Sequence, residues 1–231
     1  MNPPARRAGR FVVAIDGPAA SGKSTLARAL AERFGLACLD TGALYRATAF
    51  LVLQAAGDPA DPEAAAAAAG RVARDLLCDR RLHAEPVTSA AAIVAAIPAV
   101  RHALLAWQQD FAMHPPPPAP GAILVGRDIG TVVCPAADVK LYVTADIAIR
   151  AERRVKELRA RGAAAIYQNV LQDLEERDAR DRGRRDAPLS VAADAEIIET
   201  TALDAEAVVE RAAELVARAL AERAFKEKEW L

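Results

Sequence analysis

Five short apolar runs rich in β-branched residues punctuate the chain: Phe11–Ile15 (FVVAI), Ala37–Leu39 (ACL), Ala122–Val125 (AILV), Val139–Val143 (VKLYV) and Glu196–Ile198 (EII). Helical patterns lie between most of them, and short apolar strands alternating with amphipathic helices predict an α/β fold, a parallel sheet covered on both faces. Between Leu51 and Arg101 no such strand stands out. Glu63–Gly70 (EAAAAAAG) is a strong helix former there, and Leu76–Ala90 (LLCDRRLHAEPVTSA) is expected to form a short hairpin. This region, about residues 58–100, therefore reads as an insertion on the core. The run His114–Pro120 (HPPPPAP) cannot be helix and is expected to be an extended linker into the next strand. From Asp204 to Arg223 apolar residues recur at three- and four-residue steps, which predicts a closing amphipathic helix. Residues 1–10 are expected to be disordered, with one domain over 11–231.

Charge narrows the function classes. Lysine plus arginine (30) nearly balances aspartate plus glutamate (31) in 231 residues, so no global field points to nucleic acid or a membrane surface, and neither is expected as a partner. Any charge logic has to be local. Only five of the thirty basic residues are lysine. The apolar run after the basic start is too short for a signal peptide or a membrane span, so a cytoplasmic protein is expected. Cys38, Cys78 and Cys134 match no metal or redox spacing and are expected to be buried thiols.

The first strand runs straight into Gly17–Thr25 (GPAASGKST), which satisfies G-x-x-x-x-G-K-[ST], with a helical pattern behind it. Strand, glycine-rich turn and helix form the context in which backbone N–H groups turn inward on phosphate oxygens, Lys23 reaches the β/γ-phosphates and the Ser24 hydroxyl ligates magnesium. Gly17, Pro18, Ala19, Ala20, Ser21, Gly22, Lys23, Ser24 and Thr25 are thus the candidate triphosphate site, with ATP and Mg2+ as the expected donor and ion. No [NT]-K-x-D sequence is present to read guanine, and no apolar strand ends in Asp-Glu as in mechanical ATPases. A kinase needs in addition a site that clamps an acceptor in line with the γ-phosphate.

Three stretches are candidates for that site: Asp40–Arg46 (DTGALYR), Gly126–Val133 (GRDIGTVV) and Arg177–Arg185 (RDARDRGRR). They follow strand ends or lie in helices behind them, where such sheets bind ligands. If the third is helical, Arg177, Asp181 and Arg184 share one face, two guanidiniums flanking a carboxylate. Plainer readings remain open: Arg46 as a surface cation, Arg127 and Asp128 as a local salt bridge, the arginine run as a solvated, self-paired face. The preference for arginine over lysine favours phosphate or carboxylate recognition.

Taken together, IDGPAASGKST, LDTGALYR, IPAVRHALLAWQQDF, GRDIGTVVCPAADVKLYVTA and ERDARDRGRRDAPL resemble the bacterial cytidylate kinases in order and separation, from Phe11 to about Leu220. The resemblance implies a P-loop kinase fold with a five-stranded parallel sheet, a monophosphate-binding insertion and a helical lid at about 150–186. It further implies a monomer that transfers a phosphoryl group from ATP to CMP or dCMP. By position, Arg46 and Arg127 match arginines that grip the acceptor phosphate, Thr41, Arg101 and Asp128 surround the cytosine, and Arg177 and Asp181 lie near the sugar. Arg184 is a further arginine at the acceptor site. Lys23, Arg127, Asp128, Arg177 and Arg184 are the expected catalytic set, with Asp40 or Asp128 as candidates to face magnesium water or the acceptor. Cytosine offers an exocyclic amine donor and an N3 acceptor, so a reader needs an acceptor such as Asp128 or Thr41 Oγ beside a donor such as Arg101. The insertion lacks several residues usual in the family, and Ala92 stands where the family places a serine, which leaves the choice between CMP and dCMP open. Another small P-loop kinase acting on UMP, AMP or an alcohol, and a nucleotide-binding protein without activity, are the alternatives.

Overall fold

A computed structural model describes residues 10–160 and 162–229, the side chains of 227–229 excepted. Of the segment expected to be disordered, residues 1–9 lie outside the described residues. The five apolar runs are the five strands: β1 (Phe11–Asp16), β2 (Ala37–Asp40), β3 (Gly121–Val125), β4 (Val139–Thr144) and β5 (Glu196–Glu199). They form one sheet in the order β2-β3-β1-β4-β5, and the pairs β1–β3, β1–β4 and β4–β5 are parallel.

The residues divide into two compact units, Met1–Cys38 with Ala112–Leu231, and Leu39–Phe111. In the first, the sheet's core follows from the pleat. Successive side chains of a strand face opposite sides, and Phe11, Val13 and Ile15 of β1, Ile123 and Val125 of β3, and Val139, Leu141 and Val143 of β4 pack on one side with Leu26, Ala27 and Leu30 of α1 (Lys23–Phe34). Val208, Ala212, Ala213 and Val216 of α8 (Ala205–Glu229) close the same cluster. Val12, Ala14, Ala122 and Leu124, which face the other way, are buried as well. A sheet buried on both faces explains why these strands read as continuous apolar runs. Burying each such Val, Ile or Leu contributes roughly 1.5–3 kcal/mol. β5, at the sheet edge, exposes Glu196, Ile197 and Glu199 and buries Ile198, the charged edge that discourages pairing with another chain.

The second unit is helical. It holds α2 (Gly42–Gln54), α3 (Pro62–Ala69), two 3₁₀ turns (Asp75–Cys78 and Arg80–His83), α4 (Glu85–Val94) and most of α5 (Pro98–Met113). The hairpin expected over Leu76–Ala90 is absent. Asp79 accepts from the Arg81 N–H at 2.8 Å and starts the second 3₁₀ turn. Pro86 then sits in the first turn of α4, where its missing N–H costs nothing, and the alanine-rich sequence behind it favours helix over strand. α2 and α4 bury small residues, Ala43, Ala47, Ala49, Ala90 and Ala91 among them, with Leu44, Val52, Val87 and Val94. α3 is capped by Asp61, which accepts from the N–H groups of Glu63 and Ala64.

The proline run is not extended throughout. A turn closed by the Ala119 N–H on the Pro116 carbonyl, 3.1 Å, contains a cis Pro117–Pro118 bond, a geometry open to X-Pro bonds in tight turns. The cysteines also depart from expectation, with Cys38 and Cys78 exposed and Cys134 half-buried. Cys38 alternates outward on a four-residue strand, and Cys78 ends a 3₁₀ turn with no buried residue.

Backbone packing fixes where the loop after β1 begins. Gly17 has φ +142°, and a Cβ there would stand 2.0 Å from the Val143 carbonyl oxygen. Only glycine lets β1 turn out of the sheet against β4 at this point. Gly17→Ala is expected to lower unfolding free energy by about 3 kcal/mol or more through this overlap, measured as a shift in the urea midpoint; an unchanged midpoint contradicts the packing.

Candidate active site

The phosphate loop leaves β1 at Gly17 and enters α1 at Lys23. Ala20, at φ +59°, and Gly22, at φ +93°, supply its left-handed turns, and Gly22 caps α1 with no side-chain hydrogen bond. The N-terminal N–H groups of a helix lack intrahelical acceptors and carry the positive end of its dipole, so an uncapped helix start favours an anion. Ser21 and Lys23 are buried, and the Lys23 ammonium donates to the Pro18 carbonyl and, at 3.3 Å, to the Ser21 hydroxyl. The ammonium thus spans the loop from the inside. Ser24 and Thr25 are exposed in the first turn of α1. Among the described residues no group of three or more His, Cys, Asp or Glu could hold a metal ion alone. One serine hydroxyl with phosphate and water oxygens suits Mg2+, which keeps several waters, so the residues present fit that ion through Ser24.

Beneath the loop lies a charge arrangement that the sequence does not reveal. Arg150, on α6 (Ile147–Ala160), is buried and donates from Nε to the Ala145 carbonyl at 3.0 Å and from Nη1 to the Ala19 carbonyl at 3.1 Å. Its Nη2 lies 2.8 Å from Asp178 Oδ2 on α7 (Tyr167–Gly183), an ion pair whose angle is off the hydrogen-bonding direction. One guanidinium therefore ties the phosphate loop, the end of β4 and α7 together. Ala19 of the loop, Ala151 and Val155 of α6, and Val170 and Leu174 of α7 form an apolar cluster across the same elements. Nothing in AIRAERR (Ala148–Arg154) separates Arg150 from Arg153 and Arg154 except its place beside the Ile147–Ala151–Val155 stripe.

Of the acceptor candidates, the structure gathers Arg127, Asp181 and Arg184. Arg127 Nε donates to Asp181 Oδ2 at 2.8 Å, and Arg184 Nη2 to Asp181 Oδ1 at 2.6 Å. Arg127 thus forms a salt bridge with Asp181 on α7. Burial alone would raise the Asp181 carboxyl, but the Arg127 and Arg184 guanidiniums outweigh it and hold it below the usual carboxylate range, with a smaller contribution from Arg177. Arg184 does not share the helix face as expected. α7 ends at Gly183, and Arg184 is extended, at φ −61° and ψ 134°. It still reaches back one turn to Asp181. Arg177 is exposed and Asp128 is buried.

Asp16, the last residue of β1, is the other group missed by the sequence. It is 5% exposed and accepts two backbone N–H groups, from Ile129 at 2.8 Å and from Gly130 at 2.7 Å. Burial pushes its carboxyl up to about 6, against the pull of those two N–H groups.

In the helical unit, Thr41 is buried at the start of α2. Asp40 Oδ1 accepts the Gly42 N–H at 3.0 Å, and Asp40 Oδ2 lies 3.7 Å from Arg46 Nη2. Arg46 Nε is buried without a hydrogen-bond partner. The Arg101 guanidinium stands 5.6 Å from the centroid of the Tyr45 ring, a cation–π contact. Ala92 is exposed on α4.

Comparison with known proteins decides the family. The model of the family described as "Cytidylate kinase" matches residues 13–218. The chain belongs to the cytidylate kinase family. It is 52% identical over 207 residues to a protein of Rhodospirillum rubrum named cytidylate kinase, covering 90% of this chain and 97% of that one. It is 51% identical over 209 residues to one of Granulibacter bethesdensis with the same name, covering 90% and 98%. Among solved structures, an uncharacterised protein of Eubacterium ventriosum superposes with a TM-score of 0.52 at 11% identity, covering 90% of this chain and 99% of that one, a likeness of fold alone. The matched span of the cytidylate kinase model takes in the phosphate loop, Arg127, Asp128, Arg150, Asp178 and Asp181.

Arg150→Met removes the closer partner of the buried Asp178 and leaves it the exposed Arg182 at 3.9 Å, and is expected to lower unfolding free energy by about 3 kcal/mol. The double variant Arg150→Met, Asp178→Leu is expected to recover a large part of that loss. Urea denaturation checks both, and a double variant no more stable than the single one contradicts the pairing.

Proposed function

We propose that the protein transfers the γ-phosphoryl group of ATP to CMP or dCMP, giving ADP and CDP or dCDP, with Mg2+ bound through Ser24. Membership of the cytidylate kinase family carries this reading. The phosphate loop supports the donor half: an uncapped helix start, a left-handed turn at Gly22 and the Lys23 ammonium inside the loop suit a polyphosphate. Magnesium held through Ser24 would supply positive charge that offsets the phosphate oxygens. The chain's own part is to bind, orient and neutralise; no side chain has to form a covalent bond to phosphorus.

For the acceptor, Arg46 and Arg127 are assigned to the phosphate of CMP, Thr41, Arg101 and Asp128 to the cytosine, and Arg177 and Asp181 to the sugar, with Arg184 beside them. Support comes from two observations. Asp181 fixes both Arg127 and Arg184 in orientation before any ligand arrives. A buried guanidinium N–H without a partner, as at Arg46 Nε, is costly unless an anion completes it. The assigned helical unit, α2 to α5, would serve as the monophosphate-binding region, and α6 with α7 as the lid that excludes water. We further propose that the protein acts as a cytoplasmic monomer. Among the described residues no single helix is long and apolar enough to cross a membrane.

A coupled assay over CMP, dCMP, UMP and AMP is expected to show preference for the two cytosine nucleotides; preference for UMP or AMP contradicts the reading. Lys23→Ala is expected to lower kcat by about a hundredfold or more. Arg127→Ala is expected to weaken CMP binding by about tenfold or more while ATP binding holds, and unchanged CMP affinity by calorimetry removes Arg127 from the site.

A further inference from the structure

We infer that Asp16 is a positioning residue for the acceptor loop: its carboxylate, at the last residue before the phosphate loop, clasps the backbone of Ile129 and Gly130 and so sets where Arg127 and Asp128 stand. The inference rests on the kinase reading only for its consequence, not for its geometry.

Three structural facts carry it. β3 still pairs with β1 at Gly126, whose N–H donates to the Ile15 carbonyl at 2.9 Å, and the chain then leaves the ladder through Arg127 and Asp128 into a single π-helical turn, Ile129–Val133. The first N–H groups of such a turn have no acceptor within it. No side chain of the turn's own segment caps it at Asp128, and Asp16 does so from another strand, one oxygen to each N–H. The clasp is closely packed at its glycine: a Cβ at Gly130 would touch Asp16 Oδ2 at 3.4 Å and press on Lys140 Cδ at 3.1 Å. Arg127 and Asp128 thus lie between two fixed points, the β-ladder at Gly126 and the clasp at Ile129.

The same geometry argues against a role as the base that deprotonates the acceptor, because both carboxylate oxygens already accept backbone hydrogen bonds. It also makes the clasp depend on ionisation. A carboxylate accepts at both oxygens, whereas the protonated acid turns an O–H toward one of two donors. Burial raises the carboxyl to about 6, Asp128 raises it further, and Lys23 opposes. The other titratable groups facing it are Cys134, whose thiol burial pushes up to about 11, and Tyr142, whose hydroxyl burial also raises. Both stay neutral near pH 6. Lys140 directs its ammonium to Asp194 at 2.7 Å. The raised value means that the clasp is complete above about pH 6 and loosens as pH falls through it.

Asp16→Asn keeps the volume but replaces one acceptor by an N–H2 group. Calorimetry at pH 8 is expected to show CMP binding weakened by about tenfold to a hundredfold, the loss of a charge-assisted hydrogen bond, with ATP binding unchanged. The second ionisation of a phosphate monoester also falls near pH 6, so the quantity to read is the ratio of variant to parent Kd. It is expected to shrink toward one at pH 5, where the parent's clasp is itself protonated. Equal loss of CMP and ATP affinity, or a ratio constant with pH, overturns the inference. The free parent protein gives a second readout that needs no substrate: the ¹⁵N–¹H signals of Ile129, Gly130 and the Arg127 and Asp128 backbone are expected to titrate together with a midpoint near 6, and to lose that step in Asp16→Asn. Flat Ile129 and Gly130 signals overturn it whether or not the variant folds well. A parent protein that binds no CMP yet shows this titration counts against the kinase reading and leaves the clasp standing.

Discussion

Where the strands of a parallel sheet stop, their backbone amides and carbonyls run out of partners, and in this chain buried charges take over at that edge. Asp16 receives the amides that begin the turn after β3. Arg150 donates to the carbonyls of Ala19 in the phosphate loop and Ala145 after β4. Unpaired backbone groups at such burial would each be costly, so these side chains are structural necessities as well as electrical ones. The phosphate loop and the turn after β3 are the segments they hold.

The arrangement gives the cytidylate kinase chemistry its economy. Phosphoryl transfer asks for alignment and charge neutralisation, and in the proposed reading the guanidiniums assigned to the acceptor are oriented by an anion already in the fold. Asp178 holds Arg150 under the phosphate loop, and Asp181 holds Arg127 and Arg184. Guanidiniums fixed in this way lose little freedom when a ligand arrives, which is the gain from preorganisation. Gly17 plays the complementary part, since a side chain there would collide with the packed backbone of Val143.

Much of this was legible in the residues, for physical reasons. A strand buried on both faces leaves a continuous β-branched run, so all five strands could be read from the chain. The phosphate loop is local in sequence, and its meaning survives without tertiary contacts. What escaped reading depends on partners distant in the chain. Asp16 looked like the mere end of an apolar strand because its two donors come from Ile129 and Gly130. Arg150 is one of three arginines within five residues, and burial alone distinguishes it. The sequence LLCDRRLHAEPVTSA suggested a hairpin, yet Asp79 and Pro86 are start signals for helical turns and outweigh the short apolar pairs. Arg184 was expected on the helix, but α7 stops at Gly183, and the contact with Asp181 survives through the reach of the arginine side chain.

Hydrogen exchange in the ligand-free protein tests most directly whether these loops are held before nucleotides bind. The account predicts that the amides of Ile129 and Gly130 exchange as slowly as those of Val13 and Ile15 in the buried centre of the sheet. Exchange at the rate of an exposed loop such as Gly57–Asp61, with the sheet still protected, would contradict it.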